Sequence, residues 1–204
     1  MTKVHILGGP GSGKTTLAQS IASQLDIPHY DLDQLGLKYG PQAEPYVAET
    51  MTIVQQSGWV TEGIYLLFVD LLLHQADFII LLDIPWATAA RRIVQRHIIS
   101  IVSGTNQYPG IKALVALLRY ARGYYLNLRP DSEEAIRAYF AEHRVWTPPT
   151  TESVLMKLER YPTLVIPLSA AFVHQYLAPY QEKVVTIKTK ADQHQVLARL
   201  RPSF

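Results

Sequence analysis

The chain has 204 residues, 48% of them hydrophobic and 18% charged, with a formal net charge of +2 and no cysteine. That length and apolarity suit one domain with a full core and exclude a disordered chain. The missing cysteines exclude disulfides, zinc–thiolate sites and thiol catalysis, and the near-balanced charge argues against a dedicated nucleic-acid binder.

The start, Met-Thr-Lys, has no signal-peptide layout, and a cysteine-free chain fits a reducing compartment, so the expected location is the cytoplasm. Val4 to Leu7 is a short β-branched run that stops at a glycine-rich turn, as a first strand would. Lys14 to Leu25 follows with helical spacing of Leu17, Ala18, Ile21, Ala22 and Leu25. Ile27 to Asp33 reads as a second strand ending in two acids, Asp31 and Asp33. Val47 to Gln56 is expected to be a helix, and Trp59 to Glu62 a third strand between Gly58 and Gly63.

The apolar stretch Leu66 to Trp86 is interrupted by Asp70, His74, Asp77 and Asp83. It therefore reads as helix, turn and buried strand (Phe78 to Asp83) rather than a membrane span. Pro85 then opens a helix over Trp86 to His97. Thr163 to Tyr180 is also apolar, but Pro167, His174 and Pro179 argue against a span there. Lys183 to Lys188 reads as a late strand and Asp192 to Leu200 as a final helix. Between about 97 and 180 the alternation fails. A turn over Ser103 to Gly110, helices over Ile111 to Tyr125 and Ser132 to His143, and a break at Pro148-Pro149 read as a helical insert or lid of one domain, 1–204.

Strands alternating with helices predict a parallel α/β sheet covered on both faces. Ligands of such sheets bind at the carboxyl ends of the strands. Gly8 to Thr16, Asp31, Asp33, Glu62 and Asp83 all follow or end expected strands, so they fall on one edge.

Gly8-Gly9-Pro10-Gly11-Ser12-Gly13-Lys14-Thr15 matches G-x-x-x-x-G-K-[ST] between a strand and a helix, the setting in which this pattern binds nucleotide phosphates. Glycines let backbone N–H groups gather around an anion, and the helix start adds its unpaired N–H groups and dipole. Lys14 is expected to reach the β- and γ-phosphates, Thr15 to hold Mg²⁺ through its hydroxyl, and Thr16 to touch the α-phosphate. The loop predicts ATP or GTP with Mg²⁺; no Asn-Lys-x-Asp guanine-reading motif is present. It does not choose among kinase, switch and mechanical ATPase.

An ordered set of segments carries a resemblance. Leu7 to Thr16, Tyr30-Asp-Leu-Asp33, Trp59-Val-Thr-Glu-Gly-Ile-Tyr65, and Leu82-Asp-Ile-Pro85 followed by Arg92 and Arg96 are similar to the small nucleoside- and nucleotide-kinase group that includes adenylate kinase and shikimate kinase. Within it they most resemble the bacterial "topology modulation" proteins. The likeness covers the first 97 residues, and Lys183 to Leu200 fits the group's closing strand and helix. It implies a three-layer P-loop NTPase with a five-stranded parallel sheet in the order 2-3-1-4-5, an arginine-bearing lid, and an acceptor site between the second and third strands. Glu62-Gly-Ile-Tyr65 departs from the Asp-Gly-Asn-Tyr common in relatives, which removes an amide at Ile64 from the acceptor pocket. Glu62 reads equally as a pocket acid or a structural partner, and Tyr65 as pocket wall.

Asp33 falls where the kinase group holds an acceptor hydroxyl or assists Mg²⁺. A carboxylate there can orient the nucleophilic oxygen and take its proton. Asp31 is a candidate second ligand through water. Asp83 ends an apolar strand, as the second acidic motif of P-loop proteins does, and is expected to hold a Mg²⁺-bound water or to cap the helix after Pro85. No arginine precedes Arg91, and nine fall between Arg91 and Arg160. Arg92 and Arg96, four apart on one helix face, are expected to stabilise charge on the transferring group, with Arg129 a third candidate. Tyr120, Tyr124 and Tyr125 could wall a pocket.

The leading expectation is an ATP-dependent phosphotransferase acting on a small acceptor: a nucleotide, nucleoside or hydroxylated metabolite. The alternative is a nucleotide-dependent regulatory ATPase whose insert touches a protein or nucleic acid. The sequence carries no mark of oligomeric state.

Overall fold

The computed structural model describes residues 1–39, 42–103, 110–128, 133–162 and 169–200. Strands β1 (Lys3–Gly8), β2 (His29–Asp31), β3 (Trp59–Glu62), β4 (Phe78–Leu82) and β5 (Val184–Ile187) form one sheet in the order β2-β3-β1-β4-β5. Every pairing is parallel, with Ile6 opposite Glu62, Gly8 opposite Leu82 and Asp31 opposite Glu62. The expected parallel α/β sheet and its order are thus present. Asp31, Glu62 and the glycine loop share its carboxyl edge.

Side-chain alternation makes two cores, because successive strand residues point to opposite faces. Val4, Ile6, Val60, Ile80 and Leu82 pack against α1 (Lys14–Leu25) and α10 (Lys190–Arg199). Leu7, Trp59, Ile79 and Leu81 face the other way, toward α3 (Ala43–Val54), α4 (Asp70–Gln75), α8 (Thr151–Arg160) and α9 (Ala170–Tyr176). The helix that carries the loop lysine is fixed by full burial of Leu17 and Ile21, each contributing about 1.5–3 kcal/mol.

Several boundaries differ from expectation. β2 ends at Asp31, and α2 (Leu32–Tyr39) begins at once. The cause is Asp31, whose Oδ1 accepts the Asp33 N–H at 2.9 Å and so satisfies a free donor of the helix start. Asp33 therefore stands in the first turn of α2, not at a strand end. α3 starts at Ala43, four residues early, with Pro45 tolerated in its first turn. α5 (Trp86–Val102) runs five residues past His97. α6 (Ile111–Tyr125) matches its expected span, and α7 is Glu133–Glu142. α8 and α9 lie where no helix was expected. Thr150 opens α8 with a capping box to Ser153, and Ser169 caps α9.

Of the expected insert, Tyr139, Val154, Leu158, Phe172, Val173 and Tyr176 belong to the sheet's own core, whereas α5 and α6 pair as a hairpin beside the loop. Residues 104–109 of the expected turn, Arg129, Ser132 and residues 163–168 lie outside the described residues. Among the described residues no helix is long and apolar enough to cross a membrane.

His5 sits mid-sheet, fully buried, and shares a hydrogen bond of 2.8 Å with Thr61 Oγ1. Burial, and secondarily Lys14, lowers its pKa from 6.5 to about 3. The folded imidazole is neutral, while the unfolded chain takes a proton below its own pKa. This group's contribution is therefore intact above pH 6.5 and is lost as pH falls toward 3. Urea denaturation between pH 6.5 and 4.5 should show an excess loss of about 2–3 kcal/mol that His5→Asn removes, since each unit is worth about 1.4 kcal/mol. Equal acid dependence in both proteins would contradict the buried neutral imidazole.

Candidate active site

The site is built outward from β1. The strand ends at Gly8, the chain turns with Ser12 N–H donating to the Gly9 carbonyl at 3.2 Å, and α1 begins at Lys14. Gly11 (φ 75°) and Gly13 (φ 96°) occupy left-handed conformations that side-chain-bearing residues adopt only at a cost. The first N–H groups of α1 have no intrahelical acceptor and are available to an anion. Ser12 Oγ is buried without a partner, an orphaned hydroxyl beside those groups.

The α5–α6 hairpin seats directly on this loop. Arg92 Nη1 donates to the Ser12 carbonyl at 2.6 Å, and the Tyr125 hydroxyl donates to the Pro10 carbonyl at 3.1 Å. Trp86 and Tyr124 flank the Tyr125 ring at 6.2 Å and 5.1 Å. A Cβ on Gly9 would stand 2.4 Å from Tyr124 Cε1 and 2.8 Å from Tyr125 Cζ, so only glycine fits under the tyrosine pair. Gly9→Ala should lower stability by about 1–3 kcal/mol, the usual penalty of overpacking, in a urea titration. An unchanged midpoint would mean that the hairpin does not bear on the loop.

Lys14 is half-buried. Burial lowers its pKa, while Glu62, Asp33 and Asp31 oppose that shift and Arg96 adds to it. The fields of three carboxylates and of an arginine on α5 thus reach one lysine. Thr15 donates its hydroxyl to Glu62 Oε1 at 2.6 Å. Glu62 is almost fully buried; its pKa is raised by that burial, against the Thr15 hydrogen bond and Lys14. Asp33 is raised as well, chiefly by burial, against Lys14. Its Oδ1 is buried and has no hydrogen-bond partner. A buried, unpartnered carboxylate oxygen is costly unless something else binds it.

Asp83 lies apart from this cluster in its contacts. Its Oδ2 is 3.4 Å from His174 Nε2 and 3.7 Å from Lys188 Nζ. The carboxylate that meets Thr15 is Glu62, for which the sequence left two roles open. Thr16 is exposed on the first turn of α1, and Arg96 is exposed on α5. Asp31 caps α2. Tyr124 and Tyr125 cover the loop itself, a placement that sequence reasoning missed. The signal was the glycine at position 9, which admits a ring where a Cβ would block one.

Among the described residues no group of three or more His, Asp or Glu side chains is placed to hold a metal alone. A nucleotide-borne Mg²⁺ needs less, because phosphates and waters supply most of its oxygens. The orphaned Ser12 hydroxyl, the glycine-rich turn, Lys14 and the Thr15–Glu62 pair fit a polyphosphate with Mg²⁺.

Comparison with known proteins agrees on the loop. Residues 4–72 match the family described as "ATPase family associated with various cellular activities (AAA)". No curated protein matches the chain. Among solved structures it is similar to a shikimate kinase from Bacteroides thetaiotaomicron at 14% identity and a TM-score of 0.43, covering 98% of this chain and 95% of that one. It is also similar to a gluconokinase from Sinorhizobium meliloti 1021 at 12% identity and a TM-score of 0.40, covering 98% and 93%. An uncharacterized protein from Eubacterium ventriosum ATCC 27560 aligns at 9% identity and a TM-score of 0.44 over the full length of both chains. None of these assigns an activity to this chain.

Proposed function

We propose that this chain is a small-molecule kinase, moving the γ-phosphoryl group of ATP to an acceptor held at Asp33. The observation that carries the reading is the second acid beside the loop: Asp33 keeps a buried oxygen without a partner, while Glu62 is already held by the Thr15 hydroxyl. A nucleotide-binding loop alone needs no such second acid.

The loop N–H groups and Lys14 would hold the β- and γ-phosphates. Thr15 and Glu62 would hold Mg²⁺, which would supply positive charge to offset that of the phosphates. Asp83, the acid expected there from sequence, would act from farther off, through water. Asp33 would accept a hydrogen bond from the acceptor hydroxyl. As that oxygen bonds to the γ-phosphorus, its proton passes to Asp33. The bond to the β–γ bridging oxygen breaks, and its electron pair leaves with ADP. Burial serves this role, because a carboxylate with a raised pKa is a stronger base. Arg92 and Arg96 would balance charge on the moving group, with Arg92 leaving its bond to the Ser12 carbonyl as the hairpin closes.

The test is ADP formation from MgATP across nucleoside monophosphates, nucleosides and hydroxylated metabolites. One acceptor should raise turnover by about 10² or more, since positioning and base catalysis act only when it is present. Steady ADP formation that no acceptor changes would favour the second reading, a regulatory ATPase, which the match over residues 4–72 supports.

A further inference from the structure

A second cavity, of about 310 Å³, opens between α4, α7, α8 and the segment from α9 through the 3₁₀ turn Ala178–Lys183. It shares no residue with the phosphate loop, and the kinase reading does not use it. Its volume is at the low end for ligand pockets, right for a molecule of one or two rings.

Its walls are aromatic and held in place by one another. Tyr139 stacks on Tyr176 at 5.9 Å, and Trp146 meets Tyr180 edge-on at 6.1 Å. Its floor is polar and fixed. Lys157 Nζ is 2.8 Å from Asp70 Oδ2, and the Tyr176 hydroxyl donates to Asp70 while accepting the Leu67 N–H at 3.2 Å. Leu67 itself has a φ of 67°, a strained conformation for a branched side chain, which that bond helps to hold. The pocket is therefore preformed rather than a gap between loose helices.

Charge decides the ligand's polarity. Asp70 is spent on Lys157 and Tyr176, so the pair is neutral as a unit. The remaining charged group of the lining, Arg144, is exposed at the rim and has no ion-pair or hydrogen-bond partner among the described residues. An adjoining hollow also uses Arg144, with Phe140 and Gln175. Stacking surfaces over a neutral floor, with one unpaired guanidinium at the mouth, select a planar ring carrying a single anionic group. We infer that this cavity is a ligand site for a small aromatic or heteroaromatic anion, separate from the nucleotide site.

The test uses 1-naphthoate as probe and protein labelled with 5-fluorotryptophan. The three tryptophans give three fluorine resonances, assigned with Trp146→Phe and Trp86→Phe. The Trp146 resonance should move saturably with 1-naphthoate while that of Trp86, beside Tyr125, stays. Arg144→Gln, a change at an exposed side chain, should weaken binding about tenfold, as should replacing the probe by uncharged 1-naphthalenemethanol. Lys14→Ala should leave the titration unchanged. No saturable shift at Trp146, equal affinity with and without the guanidinium or the carboxylate, or loss of the shift in Lys14→Ala would each overturn the inference.

Discussion

Lys14→Met should leave a folded protein in which ATP turnover falls on the order of 10²–10³ and MgATP binds at least about tenfold more weakly. The lysine is a desolvated cation whose charge is sustained by Glu62, Asp33 and Asp31. It offers the loop's point charge to the β- and γ-phosphates, where negative charge shifts as the phosphoryl group moves. Met keeps the length of the stem and its packing, so the loss reports charge. Titration calorimetry with MgATP, beside steady-state turnover, separates the two effects. Wild-type affinity and turnover in Lys14→Met would remove the phosphate loop from the function.

Asp33→Asn should divide the two functions. MgATP binding should stay within about threefold, since no phosphate contact is assigned to Asp33, while acceptor-dependent turnover falls about 10²–10⁴, the usual worth of a positioned base. The pH profile gives an independent readout. Asp33 must be ionised to take a proton, so kcat/KM should fall as pH drops through its pKa, which burial holds above the ordinary carboxylate range. That acid limb should vanish in Asp33→Asn. Stability runs the other way. A carboxylate whose folded pKa is raised binds its proton more tightly in the fold, so ionising it costs stability as pH rises from its unfolded pKa through its folded one. At neutral pH Asp33→Asn should thus be as stable as wild type or more so. A variant that binds ATP normally, keeps its acid limb and keeps its turnover would leave Asp33 without a catalytic role.

What could be read from sequence followed local chemistry. β1, the loop and α1 were legible because a β-branched run, a glycine turn and a regular apolar stripe each carry a short-range signal, and α1 spans the expected Lys14–Leu25. β3 was legible between its two glycines. The β2–α2 boundary was hidden because Asp31 and Asp33 look alike on paper. Only the fold shows one capping a helix and the other half-buried, with one buried oxygen left unpartnered. Glu62 and Asp83 were ambiguous for a related reason. Glu62 ends one strand that flanks β1 and Asp83 directly follows the other, and which acid meets Thr15 depends on register and side-chain direction, which are tertiary properties. The stretch from Tyr139 to Tyr180 was read as part of an insert because its aromatic residues have no simple period. They pack against α4 and one another in the core, and that pattern has no signature along the chain.

The most direct measurement follows the γ-phosphoryl group itself. ATP labelled at the γ-phosphate is incubated with Mg²⁺, wild-type protein and each acceptor in turn, and the label is traced to acceptor or to inorganic phosphate. Transfer predicts label in one class of acceptor, stoichiometric with ADP, lost in both Lys14→Met and Asp33→Asn. Label that appears only as inorganic phosphate, at a rate no acceptor alters, would contradict the kinase reading and leave an ATPase in its place.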